Sequence, residues 1–203
     1  MHKEISFSIR GLSPLLMHSG RKLTNPLHPL TKKIKVFSGK RNKTEDDILA
    51  LQKLEWLGGL YISEDPEVHV DGAKVDFVGG GKIVVPGEAI EATLRDGAKK
   101  NKLGTTFKSG VVILDDSILN YEGTTDLEEM WESGEYADTR NVKVQRAAIM
   151  RTRPIFRKWS LDFTAHYLPT VVDPGQIHEA LSVAGMMVGL CDYRPKYGRF
   201  ELV

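Results

Sequence analysis

The last part of the chain carries the stretch that decides the fold. Residues 185–202 have the sequence GMMVGLCDYRPKYGRFEL. Apolar residues lead into Gly189, aromatic and basic residues follow it, and a short alternation of polar and apolar residues comes last. This order predicts a helix end, a loop and a final strand over residues 199–203.

The loop before that final strand combines aromatic rings with positive charge. The residues that do so are Tyr193, Arg194, Lys196, Tyr197 and Arg199. Rings and cations this close in sequence are typical of surfaces that bind an unpaired nucleic-acid strand. The alternative is a surface loop whose long side chains extend into water.

A second stretch, residues 84–95, has the sequence VVPGEAIEATLR and predicts a strand end followed by a helix. A proline in the first turn favours helix initiation, because its missing N–H has no partner there anyway. The helical period would turn Ile90, Leu94 and Ala98 toward a sheet, with Arg95 and Lys99 on an exposed side.

Together these stretches resemble motifs of the RAMP superfamily, which includes the backbone subunits of CRISPR effector complexes. The residues that resemble its early helix-opening motif are Val85, Pro86, Gly87, Ala92 and Arg95. Residues 189–199 resemble its glycine-rich loop before the last strand, although Asp192, Arg194 and Pro195 stand where small residues are common. Residues 11–20 resemble its first strand and the glycine that follows.

The order of elements predicts an α+β protein with a ferredoxin-like (RRM-like) βαββαβ core, a basic insertion and extra hairpins. The resemblance implies the same fold. We expect a single domain over residues 1–203, with insertions at about 20–81 and 115–158. The helices would cover one face of the sheet, leaving the other face free for a partner, as in RRM domains.

Local patterns place several elements. Alternation predicts strands at residues 4–9, with Ile5, Phe7 and Ile9 inward, and at residues 159–166. Helices should begin after the caps Thr44 and Asp173. The second of these helices has an apolar face formed by Ile177, Ala180, Leu181, Ala184, Met187 and Val188.

Other segments give weaker patterns. The pattern of residues 64–81 predicts hairpin strands, and that of residues 60–62 predicts a short strand. Residues 79–82 predict a hairpin turn rather than a phosphate loop. Residues 142–149 predict a strand that leads into a basic turn. Residues 20–42 contain two prolines and no clear period, which predicts a loop.

The net charge of +1 hides strong segregation. Residues 21–44 contain cations and no acid, residues 110–139 contain acids and no Lys or Arg, and residues 140–158 again contain cations and no acid. Blocks of one sign repel themselves unless a partner neutralises them. The basic blocks could bind a polyanion, or acidic and basic blocks could meet between copies of the protein.

We therefore predict a nucleic-acid-binding set drawn from the basic blocks, the second helix and the closing loop. Its members are Arg21, Lys22, Lys32, Lys33, Lys35, Lys40, Arg41, Lys43, Arg95, Lys99, Arg151, Arg153, Arg157, Tyr193, Arg194, Lys196, Tyr197 and Arg199.

The search for catalytic motifs yields no convincing set, so we expect no enzyme, metal or cofactor. His-Glu-x-x-His, Cys-x-x-Cys, phosphate-loop and Gly-x-Ser-x-Gly patterns do not occur. Some backbone subunits of the family cleave RNA with an aspartate in the loop after the first strand, where this chain offers only Asn25. His18 or His28 could still serve as an acid or base in metal-independent RNA cleavage.

The leading hypothesis is a non-enzymatic protein that binds single-stranded RNA or DNA and assembles along the strand as a homo-oligomer. The resemblance implies a backbone subunit of a CRISPR-like ribonucleoprotein with other effector subunits, and a phage protein on the same fold would look alike. The alternatives are a RAMP endoribonuclease and a structural assembly protein without nucleic acid. The chain has no apolar segment of membrane-spanning length, which predicts a cytoplasmic protein with no membrane partner.

Overall fold

The computed structural model describes residues 1–144 and 147–203. It has a mixed α+β architecture with antiparallel sheets, which confirms the predicted fold class at that level. The chain forms two compact units. Unit 1 comprises Met1–Leu16, Ile83–Glu122 and Phe156–Val203, and unit 2 comprises Met17–Lys82 and Gly123–Ile155. The segments predicted as insertions supply most of unit 2.

The strands are, in chain order, β1 (Lys3–Gly11), β2 (Leu15–Leu16), β3 (Glu67–Asp71), β4 (Lys74–Val78), β5 (Val84–Val85), β6 (Val111–Val112), β7 (Ser117–Tyr121), β8 (Ala137–Val144), β9 (Ala147–Phe156), β10 (Trp159–Tyr167) and β11 (Phe200–Leu202). The helices are α1 (Gly20–Leu23), α2 (Pro29–Ser38), α3 (Glu45–Gly59), α4 (Gly87–Ala98), α5 (Gly104–Gly110), α6 (Leu127–Ser133) and α7 (Pro174–Met187), with a 3-10 turn at Lys99–Asn101. Within the described residues, no helix is both long and apolar enough to cross a membrane.

Unit 1 is built on a sheet in the order β11-β1-β10-β7-β5, with β6 also pairing with β10, and the pairings are antiparallel. The alternation that predicted β1 and β10 is confirmed: Phe7 pairs with Phe163 and Ile9 with Leu161, and all four side chains are buried. The polar residues between them face the other side of the sheet.

Helices α4 and α7 lie against each other in unit 1. Ile90, Leu94 and Ala98 are buried in α4 as predicted, and Pro86 is its N-cap. The buried face of α7 also matches the prediction except at its C-terminal end, where Met187 is 57% exposed and Val188, the residue after the helix, is half-buried. The two helices approach so closely that a Cβ on Gly97 would lie 2.3 Å from the Ala180 carbonyl oxygen.

Unit 2 corrects the loop predicted for residues 20–42, which instead form α1 and α2. The prolines misled the prediction, because Pro29 occupies the first turn of α2, where proline favours a helix. His28 caps this helix by accepting a hydrogen bond from the Leu30 N–H through Nδ1, at 3.2 Å. Leu30 and Phe37, two turns apart, are buried and α2 lies against α3.

The predictions for the other elements of unit 2 are confirmed only in part. Thr44 caps α3 in a capping box, as predicted. The β3–β4 hairpin is also confirmed, with its turn at Gly72. The prediction of a hairpin turn at residues 79–82 was wrong, because those residues follow β4 without turning back into a strand paired with it. Residues 60–62 form no strand. The strand predicted over residues 142–149 is divided between β8, which ends at Val144, and β9, which begins at Ala147, and residues 145 and 146 lie outside the described part. The basic turn predicted after it is wrong, because β9 continues to Phe156.

The close approach of α4 and α7 leads to a prediction for stability. Gly97→Ala should lower the free energy of unfolding by about 1–3 kcal/mol, because the new methyl group overpacks against the α7 backbone. Urea denaturation would measure the change. Gly20→Ala is the matched control, since a Cβ there has its nearest neighbour at 4.0 Å. Equal denaturation midpoints for the two variants would contradict the tight helix contact.

Candidate nucleic-acid interface

The closing loop, defined here as residues 188–199, joins α7 to β11 and is held shut at its base by two glycines. Gly189 and Gly198 have φ angles of +82° and +71°, in the region that favours glycine. The Leu190 N–H donates to the Gly198 carbonyl oxygen at 2.8 Å. A Cβ on Gly198 would lie 2.0 Å from the Leu190 carbonyl oxygen, so the closure requires glycine.

The same loop is tied to the segment that follows β1. The Gly198 N–H donates to the Pro14 carbonyl oxygen at 2.8 Å, and the Asp192 N–H donates to the Leu16 carbonyl oxygen at 2.9 Å. The Ser13 hydroxyl accepts the Arg199 N–H at 3.0 Å. Two stretches that the sequence singled out independently are therefore in direct contact.

The third stretch, helix α4, reaches the loop through a buried threonine. The Thr93 hydroxyl donates to the Gly189 carbonyl oxygen at 3.2 Å. The Arg194 guanidinium donates to the Thr93 oxygen at 3.3 Å and lies 3.8 Å from the Asp96 carboxylate. All three motif-bearing stretches thus meet at one end of unit 1.

The aromatic residues of the loop form a pair rather than two separate platforms. The rings of Tyr193 and Tyr197 have centroids 6.0 Å apart and an interplanar angle of 78°. Tyr193 is 45% exposed, whereas Tyr197 is half-buried, and the Lys196 ammonium lies 5.9 Å from the Tyr197 centroid. Tyr193 is therefore the ring more accessible to a base. Arg199 donates from Nε to the Pro195 carbonyl oxygen at 2.8 Å.

A basic groove, comprising Arg95, Lys99, Lys100, Lys102, Lys108 and Arg194, lies beside this loop. One open cavity of about 550 Å³ is lined by Arg95, Lys99, Lys102, Gly104, Thr105 and Lys108. A second, also of about 550 Å³, is lined by Asp96, Lys99, Lys100, Met187, Val188, Arg194 and Pro195. Both cavities share Lys99, so the predicted residues Arg95, Lys99 and Arg194 belong to one surface.

The carboxylate of Asp96 contacts two of the cations in the basic groove. Asp96 accepts a hydrogen bond from the Lys99 ammonium at 2.7 Å and lies near the Arg194 guanidinium. Among the described residues that line the first cavity, none is an acid. The binding set predicted from sequence lacked Lys100, Lys102 and Lys108, although the basic run that follows α4 could have revealed Lys100 and Lys102.

The basic residues of residues 21–43 lie in unit 2, and part of their charge is neutralised there. Lys22 is buried, with its ammonium 2.5 Å from the Asp65 carboxylate. The Lys40 ammonium lies 2.5 Å from the carboxylate of Asp47, and this hydrogen bond lowers the pKa of that carboxyl group. Lys43 donates to the Lys40 carbonyl oxygen at 2.7 Å. Lys33 is half-buried. The remaining basic residues of this segment are exposed, namely Arg21, Lys32, Lys35 and Arg41.

Two of the three arginines predicted after the acidic block lie in unit 2. Arg151 pairs with the buried carboxylate of Glu55, which also accepts the Thr152 N–H at 3.2 Å. Arg151 and Arg153 both line a cavity of about 330 Å³, and His18 lines it too. Arg157 lies in unit 1 and is exposed. The role of these cations in binding stays a prediction.

The sheet face opposite the buried side chains of β1 and β10 differs from an RNA-binding RRM sheet. Ser6 hydrogen-bonds Thr164 at 3.0 Å across the strands, and Ser8 donates to Asp162 at 2.5 Å. Where β1 and β10 are described, this face carries no Phe, Tyr or Trp ring for stacking. Ser6, Ser8, Asp162 and Thr164 on this face therefore already bond one another.

Three side chains of types that often serve in catalysis, one of them the sequence candidate His28, have the following surroundings. His28 caps α2 and lies 3.6 Å from the Asp65 carboxylate. Asp116 accepts the first N–H of α4, that of Gly87, at 3.1 Å. Burial raises the pKa of the Cys191 thiol to about 12, so little nucleophilic thiolate forms near neutral pH.

Comparisons with known proteins add no family assignment. A scan of the chain against models of known protein families found no match, and a search of curated proteins found none either. The resemblance to the RAMP superfamily therefore stays a prediction.

Proposed function

We propose that this protein binds single-stranded nucleic acid without cleaving it, through the basic groove and the closing loop of unit 1. The observation that carries the proposal is the meeting of these two features at Arg194, which lines the groove beside Lys99 and belongs to the loop that presents Tyr193. Cations that follow a backbone, next to an exposed ring, are the combination that non-specific single-strand binders use.

The proposal includes a ferredoxin-like core. Within unit 1, when the short elements β2, β5, β6 and α5 are set aside, β1, α4, β7, β10, α7 and β11 follow the βαββαβ order. Their sheet order, β11-β1-β10-β7, places the fourth strand beside the first and the third beside the second, which supports that topology. The RAMP relationship and a place in a CRISPR-like ribonucleoprotein are extensions of this proposal.

Assembly along the strand belongs to the same proposal. A strand longer than one groove can bind several copies, and neighbouring copies gain contacts from each other, which is why such binders are commonly cooperative. The exposed acids Glu129 and Glu132 of α6 offer charge for a head-to-tail contact with a basic surface of another copy. RNA and DNA remain equal candidates, because the choice depends on contacts to the 2′-hydroxyl.

The groove predicts how affinity depends on salt. Replacing Lys100, Lys102 and Lys108 together with Gln removes three charges while keeping side-chain length. The slope of log affinity against log salt should become shallower by about 0.7 for each phosphate that the variant no longer neutralises. Fluorescence anisotropy with a labelled 20-mer of uridine or thymidine, across a salt series, would measure it.

The matched variant replaces Lys32, Lys33 and Lys35 with Gln in unit 2. This triple change tests the basic segment predicted from sequence, and it should flatten the slope less than the groove variant does. If the slope is unchanged in the groove variant but flattened in the unit 2 variant, the proposed groove is wrong and the phosphate contacts lie in residues 21–43.

Tyr193 predicts a stacking contribution. Tyr193→Ala should weaken binding of the same oligonucleotides by about 1–3 kcal/mol, because a base loses its aromatic platform. Tyr193→Phe should retain affinity, since the ring face makes the contact. If both variants lose affinity equally, the hydroxyl group is the important element and stacking at this position is wrong.

A second candidate function, metal-independent RNA cleavage, is favoured by one observation in unit 2. His18 lines the same cavity as Arg151 and Arg153, which could hold a phosphate. If this is an active site, end-labelled RNA should be cut in the presence of EDTA, and His18→Ala should abolish cutting. RNA that stays intact on a sequencing gel at saturating protein would exclude this function.

A further inference from the structure

Three side chains with metal-binding atoms come together where β1 begins and β10 ends. Glu4 on β1 lies directly opposite His166 on β10 in the antiparallel register. His2 precedes Glu4 by two residues, which places it on the same side of the extended chain. One nitrogen or oxygen atom from each of these three side chains lies within 4.8 Å of the other two.

The distances suit a small divalent cation. Bonds from zinc to nitrogen or oxygen of about 2.0–2.2 Å, in tetrahedral geometry, separate neighbouring ligand atoms by about 3.3–3.6 Å. His166 Nδ1 and Glu4 Oε1 are already 3.5 Å apart. The His2 side chain is exposed and can close the remaining gap by a small change in its side-chain torsions.

We propose that His2, Glu4 and His166 form a binding site for a divalent transition metal, with Zn²⁺ as its best probe. Two imidazoles and one carboxylate are a ligand set typical of zinc and related metals. Mg²⁺ and Ca²⁺ prefer sites made of oxygen atoms, so they should bind poorly here.

The surroundings give the metal a fixed anchor and an open approach. The side chain of His166 is 17% exposed and is held at the sheet, whereas that of Glu4 is 61% exposed and can adjust. A cavity of about 360 Å³, lined by both histidines and by Lys108, adjoins the site. Three protein ligands leave at least one coordination position for water or an incoming group.

Isothermal titration of the untagged protein with ZnCl₂ tests this site. We expect one Zn²⁺ per chain, no comparable binding of MgCl₂, and a rise in melting temperature with Zn²⁺, because a metal that binds only the folded state stabilises it. Glu4→Gln and His166→Ala should each weaken Zn²⁺ binding at least about tenfold.

The controls separate this site from surface binding elsewhere. His178→Ala removes an exposed histidine of α7 and should leave Zn²⁺ affinity unchanged. Glu4→Gln alters an exposed side chain and should not disturb folding, so it remains informative if His166→Ala is unstable. Unchanged Zn²⁺ affinity in Glu4→Gln, or weakened affinity in His178→Ala, would overturn the proposal.

Discussion

The backbone of Gly198 passes so close to Leu190 that no side chain fits between them, and the architecture of this end of unit 1 depends on that contact. The hydrogen bond from Leu190 to Gly198 closes the loop, and the N–H of Gly198 then ties it to Pro14 after β1. Because Gly189 sits at the other side of the base, its carbonyl oxygen is free to accept from Thr93 of α4. Backbone contacts thus bring together three segments that are far apart in sequence.

Elements whose cause is local could be predicted from the sequence. The alternation in β1 and β10 reflects one buried face, and the caps Thr44 and Asp173 bind N–H groups only a few residues away. Helix α2 was missed because the prolines of this segment were read as a signal for a loop. The helix is stabilised by burying Leu30 and Phe37 against another helix, a tertiary effect that the local sequence does not reveal.

The charge blocks also have tertiary partners that the sequence could not reveal. Sequence predicted repulsion within each block, but the fold supplies partners from elsewhere in the chain, such as Asp65 for Lys22 and Lys53 for Glu128. Glu128 also accepts the backbone N–H of Phe77, so this acid stabilises unit 2 and is a poor candidate for contacts between copies. Candidate contacts from this acidic helix are better sought at Glu129 and Glu132, which are exposed. The proposed metal site was missed for a related reason, since strand pairing brings Glu4 beside His166, which is far from it in sequence.

In the proposed function, electrostatics and ring stacking make different contributions to strand binding. On the sheet face, the Asp162 carboxylate accepts from Ser8 and the Glu201 carboxylate is paired with Arg10, so this face offers phosphates less positive charge than the basic groove does. The basic groove attracts them, but cations bind the phosphates of duplexes and single strands alike. A base can stack on Tyr193 only when its own faces are exposed. Affinity should therefore come mainly from the lysines, and preference for unpaired strands mainly from the loop that Gly189 and Gly198 hold in place.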